Sequence, residues 1–415
     1  MTAQPDVTVP AGPPAGGDPA RHERRARVIV AALAVSQTVG YGALYYAFAV
    51  LLVPMAADLG ESITAVTGAM TASVLAGAAA AIPAGRWLDR RGGRALMTGG
   101  SIAGTALLVL ASRVENLVEL YAVWIGVGLV AAAVLYEAAF AVVVTWYPDP
   151  RRRATALLVI TVVAGFASSI FFPLTGALVE VHDWRATLVV LAAVHGVITI
   201  PLHLLIRRPP GSAAPSSPGG SADGRSAAVA AAVRDPGYWL LVAVFVAQGG
   251  AVAVIAVHLV GYLIDLGHPP AFAAAIAGGL GVLSVTGRLI WTGAQRRWPT
   301  TTAVAAVFAV QAVGAVALPA VGASTVGAIA AVLAFGLGFG VATIARPAIL
   351  ADRYGTTGFA TISGLLAVPL IITKALAPLG AALLYQVTGS YTAVAVAVAA
   401  ACALAATGLA LGRAA

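Results

Sequence analysis

Residues Gly85–Arg94 read GRWLDRRGGR. Five of these ten residues are charged and three are glycine. The runs on either side, 62–84 and 95–112, are almost wholly apolar. Each is about the length that crosses a bilayer as a helix. The stretch is therefore a tight, charged turn between two membrane crossings. Gly85, Gly92 and Gly93 permit close backbone approach and positive φ. Asp89 can pair with an arginine or sit at a helix N-terminus.

The same pattern continues outward in both directions. Of 415 residues, 60% are hydrophobic and 10% charged, with a mean hydropathy of +0.94. A soluble chain of this length needs more charge to cover its surface. Apolar runs lie at 28–54, 62–84, 95–112, 118–146, 154–179 and 186–206, then at 238–264, 271–294, 300–320, 324–350, 358–387 and 390–411. The expected fold is an all-α polytopic membrane protein with twelve transmembrane helices in two six-helix bundles. Residues 1–27 are expected to form a disordered cytoplasmic tail, 28–206 the first bundle, 207–237 a Pro/Ser/Gly-rich cytoplasmic linker and 238–415 the second bundle. The arginines alternate with this count. Arg113 and Arg185 alone fall in loops of one side; the other loop arginines and both termini fall on the opposite one. The positive-inside rule makes that second side cytoplasmic, in a cell inner (plasma) membrane. The net charge of +8 is thus a topology signal, not a nucleic-acid footprint. One cysteine, Cys402, excludes an internal disulfide, and six scattered histidines give no metal-ligand spacing. No cofactor motif and no catalytic constellation is visible, so the chain does not read as an enzyme.

GRWLDRRGGR resembles the loop 2–3 signature of the major facilitator superfamily at Gly85, Asp89, Arg90, Gly92 and Arg94. With the six-linker-six plan, the resemblance covers essentially the whole chain. It implies that these five residues gate between conformations rather than bind substrate. The second half holds only a decayed counterpart, GRLIWTGAQRR at Gly287–Arg297, without the Asp. WYPDPRRRA at Trp146–Ala154, HDWRATL at His182–Leu188, GLGFG at Gly336–Gly340 and ADRYG at Ala351–Gly355 resemble monocarboxylate-porter-like and oxalate:formate-antiporter-like members. The Gly-Pro cluster of drug-efflux members is missing from the fifth span: Gly165, Pro173 and Gly176 have another spacing.

Four charged residues fall inside apolar runs: Glu137, Arg288, Arg346 and Lys374. A central charge costs about 2.5–3.5 kcal/mol on insertion scales, so such residues face a cavity or a partner. Lys374 is the only lysine in the chain. Three cations face one anion here, so at least one cation has no protein counter-ion. An anionic substrate would remove that penalty. Arg346, toward the end of its span, is expected to reach the interface by snorkelling. Arg288 is expected to contact substrate or to pair with Glu137, and Glu137 is otherwise a candidate proton carrier. The resemblance adds that a span-eight Arg and a span-eleven Lys bind carboxylates in that branch, which maps onto Arg288 and Lys374. Lys374 stands four residues before Pro378, one turn nearer than the family's lysine, so a monocarboxylate is expected rather than oxalate. Gln37, Tyr41 and Tyr45 recur every fourth residue on the first span and add candidate hydrogen-bonding partners for a carboxylate.

The expectation is a monomeric, gradient-driven secondary transporter of a small organic anion working by alternating access, with a proton or counter-anion as coupled partner. The alternative is an efflux pump for drugs or other hydrophobic compounds, which would call for an acidic cavity.

Overall fold

The computed structural model describes residues 19–209, 220–294 and 297–411. Among these, twelve helices are long and apolar enough to cross a membrane. Spans 1 to 6 are Ala20–Leu59, Ala65–Arg91, Gly93–Ala111, Leu117–Trp146, Pro150–Val181 and Trp184–Leu204. Spans 7 to 12 are Pro236–Asp265, Ala275–Ala294, Thr300–Val321, Thr325–Tyr354, Phe359–Thr388 and Tyr391–Leu411. Many starts are written locally. Ser62, Asn116, Asp149, Asp183, Asp235 and Ser324 each accept a hydrogen bond from a first-turn N–H, as N-caps do. Gly92, at φ +77°, closes span 2 in a conformation that side-chain-bearing residues avoid.

Two segments differ from expectation. The first helix begins at Pro19, so residues 19–27 are helical rather than part of a disordered tail; residues 1–18 lie outside the described residues. Within 207–237, a helix runs over Gly220–Arg234. Asp235 follows it and accepts bonds from Gly237 N–H at 2.9 Å and the Tyr354 hydroxyl at 2.7 Å. The Tyr354 hydroxyl and that N–H hold its carboxyl below the ordinary aspartate range.

The loops gather on two faces, as alternation requires. On the face with few arginines, Arg185 pairs with Asp58 at 2.8 Å and donates to Val114 O at 2.6 Å. On the arginine-rich face, Asp89 meets the start of span 11, and Arg153 pairs with Asp352 across the two halves. The hydrophobic cores repeat this asymmetry. One continuous core on the arginine-rich side mixes both halves, from Leu33 and Phe140 to Trp291, Ile344 and Phe359. Toward the other face each half keeps its own core, around Leu51 and Trp124 in the first and Leu259 and Phe335 in the second. The halves are thus joined on the arginine-rich side and separate on the other.

Spans 4 and 10, which occupy equivalent places in the two halves, are both broken near mid-length. Span 4 runs as Leu117–Val134 and Tyr136–Trp146, with Leu135 extended at φ −88°, ψ −161° between them. Span 10 runs as Thr325–Gly336 and Val341–Tyr354, with turns between. The GLGFG stretch was expected to lie within a continuous helix; it is the break itself. Broken helices free backbone carbonyls, and in a membrane each must find a donor. Gln37 Nε2 donates to Val134 O at 2.7 Å. Gln311 Nε2 donates to Phe335 O at 3.1 Å, and Arg288 Nε to Gly340 O at 3.1 Å.

Candidate functional site

A cavity of about 500 Å³ lies between the halves, a volume suited to a small organic molecule. Spans 1, 2 and 4 contribute Tyr41, Tyr45, Ser73, Tyr136 and Glu137; spans 10 and 11 contribute Arg346 and Lys374. A second pouch of about 50 Å³ shares Arg346, Leu370 and Lys374 and is lined by Gln248 and Thr343.

The two breaks explain why charge collects here. The break at Leu135 starts a new helix inside the membrane and puts Glu137 in its first turn, where the helix dipole favours a carboxylate. The second segment of span 10 carries Arg346, whose side chain is 8% exposed. Arg346 Nη2 pairs with Glu137 Oε1. Ser363 Oγ donates to Glu137 Oε2 at 3.0 Å. This corrects two expectations. Arg346 does not snorkel to the interface, because its partner lies inward across the halves. Glu137 pairs with Arg346, not with Arg288.

Arg288 is buried at 9% exposure and lines neither cavity. Its Nη1 donates to Thr161 O at 2.8 Å while Nε holds Gly340 O. It clasps span 5 of one half to span 10 of the other, with Tyr136, Tyr46 and Tyr41 in electrostatic reach.

Lys374 is different. Among the described residues no hydrogen bond or ion pair reaches its ammonium. Its side chain is solvent-accessible, yet protein atoms crowd the ammonium. The two facts agree if the accessible surface opens into the cavities rather than to lipid. Arg346 and Glu137 are the charges within its reach. With Glu137 held by Arg346, the cavity lining keeps one positive charge in excess, two cations against one anion.

Of the first-span stripe, Tyr41 and Tyr45 line the cavity and Gln37 does not. Gln37 is fully buried and bound to span 4. A π-helical turn at Gly42–Tyr46 follows Tyr41 and shifts the register of Tyr45; such bulges recur at functional sites. Gly42 lets the Phe171 ring pack directly on this turn, since a Cβ there would meet the ring. Tyr136 precedes Glu137 at the start of the second segment of span 4. It packs on Tyr41 with ring centroids 4.6 Å apart and joins the cavity wall, since the break restarts the helix just before it. Among the described residues no group of three or more His, Cys, Asp or Glu side chains could hold a metal ion.

In the charged turn, the Asp89 carboxylate accepts from Ala360 N–H at 3.0 Å, Thr361 N–H at 2.8 Å and Thr361 Oγ1 at 2.6 Å. It caps span 11 from the other half. Gly85 and Gly364 let spans 2 and 11 touch backbone to backbone, at Ala360 and Ala81. Arg90 and Arg94 are exposed. Replacing Asp89 by alanine leaves those N–H groups without a partner and is expected to weaken the closed arginine-rich side by about 1–3 kcal/mol. The measurement is maleimide labelling of Leu366→Cys, fully buried here, in a Cys402→Ser background. Labelling should speed up in the Asp89→Ala variant; an unchanged rate rules out the cap as a latch.

A family model described as Major Facilitator Superfamily matches residues 33–369. No curated protein matches the chain by sequence. Solved structures match over nearly the whole length. The E. coli fucose:proton symporter FucP, as a single-site variant, is 16% identical, with TM-score 0.72 over 92% of this chain and 98% of its own. The proton:xylose symporter XylE is 12% identical, with TM-score 0.72 over 93% and 95%. The human organic anion transporter MFSD10 is 16% identical, with TM-score 0.68 over 95% and 100%. At these identities the likeness is one of fold.

Proposed function

Because the chain belongs to the Major Facilitator Superfamily, a family of membrane transporters, we propose that it carries a small organic anion, of the monocarboxylate class, by alternating access. One observation carries this reading: Lys374 presents an unpartnered ammonium to the cavity of about 500 Å³ between the halves. A buried charge without a partner is costly, and a bound carboxylate supplies the partner. The rings of Tyr41, Tyr45 and Tyr136 give the anion an apolar wall with hydroxyl donors at its edge. Arg288 acts as a clasp between halves rather than as the anion contact. Glu137 is the coupling group: a proton on its carboxyl frees Arg346 to join Lys374 around the substrate. No nucleotide-binding motif offers another energy source, so an ion gradient drives the cycle. The arginine-rich face is cytoplasmic by the positive-inside rule, the membrane is the plasma membrane and the working unit is a monomer. Asp89, with Gly85, Arg90, Gly92 and Arg94 around it, gates that face.

The printed name of MFSD10 fits this class. The names of FucP and XylE point to sugars, and the tyrosine wall favours that second reading, since aromatic rings also stack on sugars. Efflux of lipophilic cations is disfavoured by the excess positive charge of the lining.

The experiment is ligand-induced thermal stabilisation of the purified protein with monocarboxylates, dicarboxylates, sugars and lipophilic cations. A ligand that binds the folded state alone must raise the melting temperature. Small carboxylates are expected to do so. Stabilisation by sugars alone replaces the anion reading with the second one.

A further inference from the structure

A further groove lies away from the central cavity. It encloses about 750 Å³ at the arginine-rich end of spans 1 and 5, with Thr292 of span 8 on its far wall. Its rim holds Arg27, Arg151 and Arg152 against a single carboxylate, Glu23. Glu23 pairs with Arg27 at 3.2 Å and with Arg152 at 3.0 Å. Arg151 is exposed and makes no ion pair among the described residues. Three cations and one anion leave the rim with two positive charges in excess. Below the rim the lining turns apolar, with Val30, Ala31 and Val159. Exposed apolar side chains continue the track toward the membrane centre at Val35, Val163 and Phe166.

We infer that this groove binds an anionic phospholipid, its headgroup phosphate on Arg151 and Arg152 and one acyl chain along Val159 and Val163. Cationic charge at the membrane surface and an apolar track beneath it complement the two ends of such a lipid. A soluble anion would meet the rim and leave the track bare. A zwitterionic lipid would fill the track and leave the rim charge uncompensated. The groove is built on spans 1 and 5 of the first half, and Thr292 of span 8 is the lining residue from the second. It exists in this form only while the halves are joined on the arginine-rich side. A lipid bound there therefore favours that state, whatever solute the central cavity takes.

Native mass spectrometry of the detergent-purified full chain, titrated with phosphatidylglycerol or phosphatidylcholine, tests this. Two variants change the groove without touching the central cavity. Arg151→Gln removes an unpaired rim charge, and Val159→Trp fills the lipid-exposed track. Arg91→Gln, an exposed arginine outside the groove that stacks on Trp87, is the control. The expected result is a retained phosphatidylglycerol on the wild type, weakened about fivefold by Arg151→Gln, the worth of one interfacial arginine. Val159→Trp should weaken it too, and Arg91→Gln should not. Slower maleimide labelling of Leu366→Cys with phosphatidylglycerol present should accompany binding. Equal retention of phosphatidylcholine, or equal losses for Arg91→Gln and Arg151→Gln, would overturn the proposal in favour of unspecific surface charge. Loss of bound phosphatidylglycerol to competing inorganic phosphate, with Val159→Trp binding as wild type does, would overturn the acyl track.

Discussion

Lys374→Met is expected to abolish stabilisation by carboxylates while leaving the ligand-free protein at least as stable as wild type. The two effects have opposite causes. The ammonium has no protein partner among the described residues, so its removal breaks nothing and lifts a desolvation cost. The bound anion, by contrast, loses its charge-assisted contact. Truncating one member of a buried charge pair costs about 2–5 kcal/mol of binding, which here means an affinity fall of about 100-fold. Melting curves of wild type and variant, with and without ligand, read both effects at once. A variant that melts well below wild type without ligand makes Lys374 a structural residue and removes the central support for the anion reading. A variant that still responds to carboxylates does the same from the other side.

Glu137→Gln is expected to behave in the reverse way. Breaking a buried ion pair by removing one partner costs about 3–5 kcal/mol. The Glu137 side chain is 25% exposed to the cavity and Arg346 only 8%, so water relieves part of the loss and about 2–3 kcal/mol is expected. Stability should fall without ligand, and an anion should restore more of it than in wild type, because it now has two free cations to meet. The double variant Glu137→Gln/Arg346→Met should melt above the single Glu137→Gln, since neither member of the pair is then left as a buried charge without its partner. Additive losses in the double variant would show that the pair across spans 4 and 10 holds nothing. Transport by Glu137→Gln should lose its dependence on a proton gradient if that carboxyl carries the coupled proton.

Much of the architecture was legible before any coordinates. Twelve apolar runs, a polar break after the sixth and arginines on alternate loops leave few folds open, because each follows from bilayer thickness and charge cost. The importance of Lys374 was legible for the same reason. A lone lysine in an apolar run is expensive wherever it sits. The partners were not legible. Glu137 and Arg346 lie 209 positions apart, and no local rule joins them. Arg288 read as an anion contact alongside Lys374, yet it is taken up by two carbonyls on spans 5 and 10. Gln37 stood at the right spacing for the cavity, yet it is taken up by the Val134 carbonyl freed at the Leu135 break.

The sequence by itself determined which residues must lie in the membrane, which loops share a face and which charges need compensation. These depend on transfer free energies and short-range periodicity, and both are carried by neighbouring residues. The tertiary structure decided which charge is compensated by which. That choice rests on two helix breaks, each of which turns side chains by a fraction of a turn, and on how two halves close against each other. Neither is encoded within a single span. The outcome is one lysine left over, facing a cavity that an anion would complete.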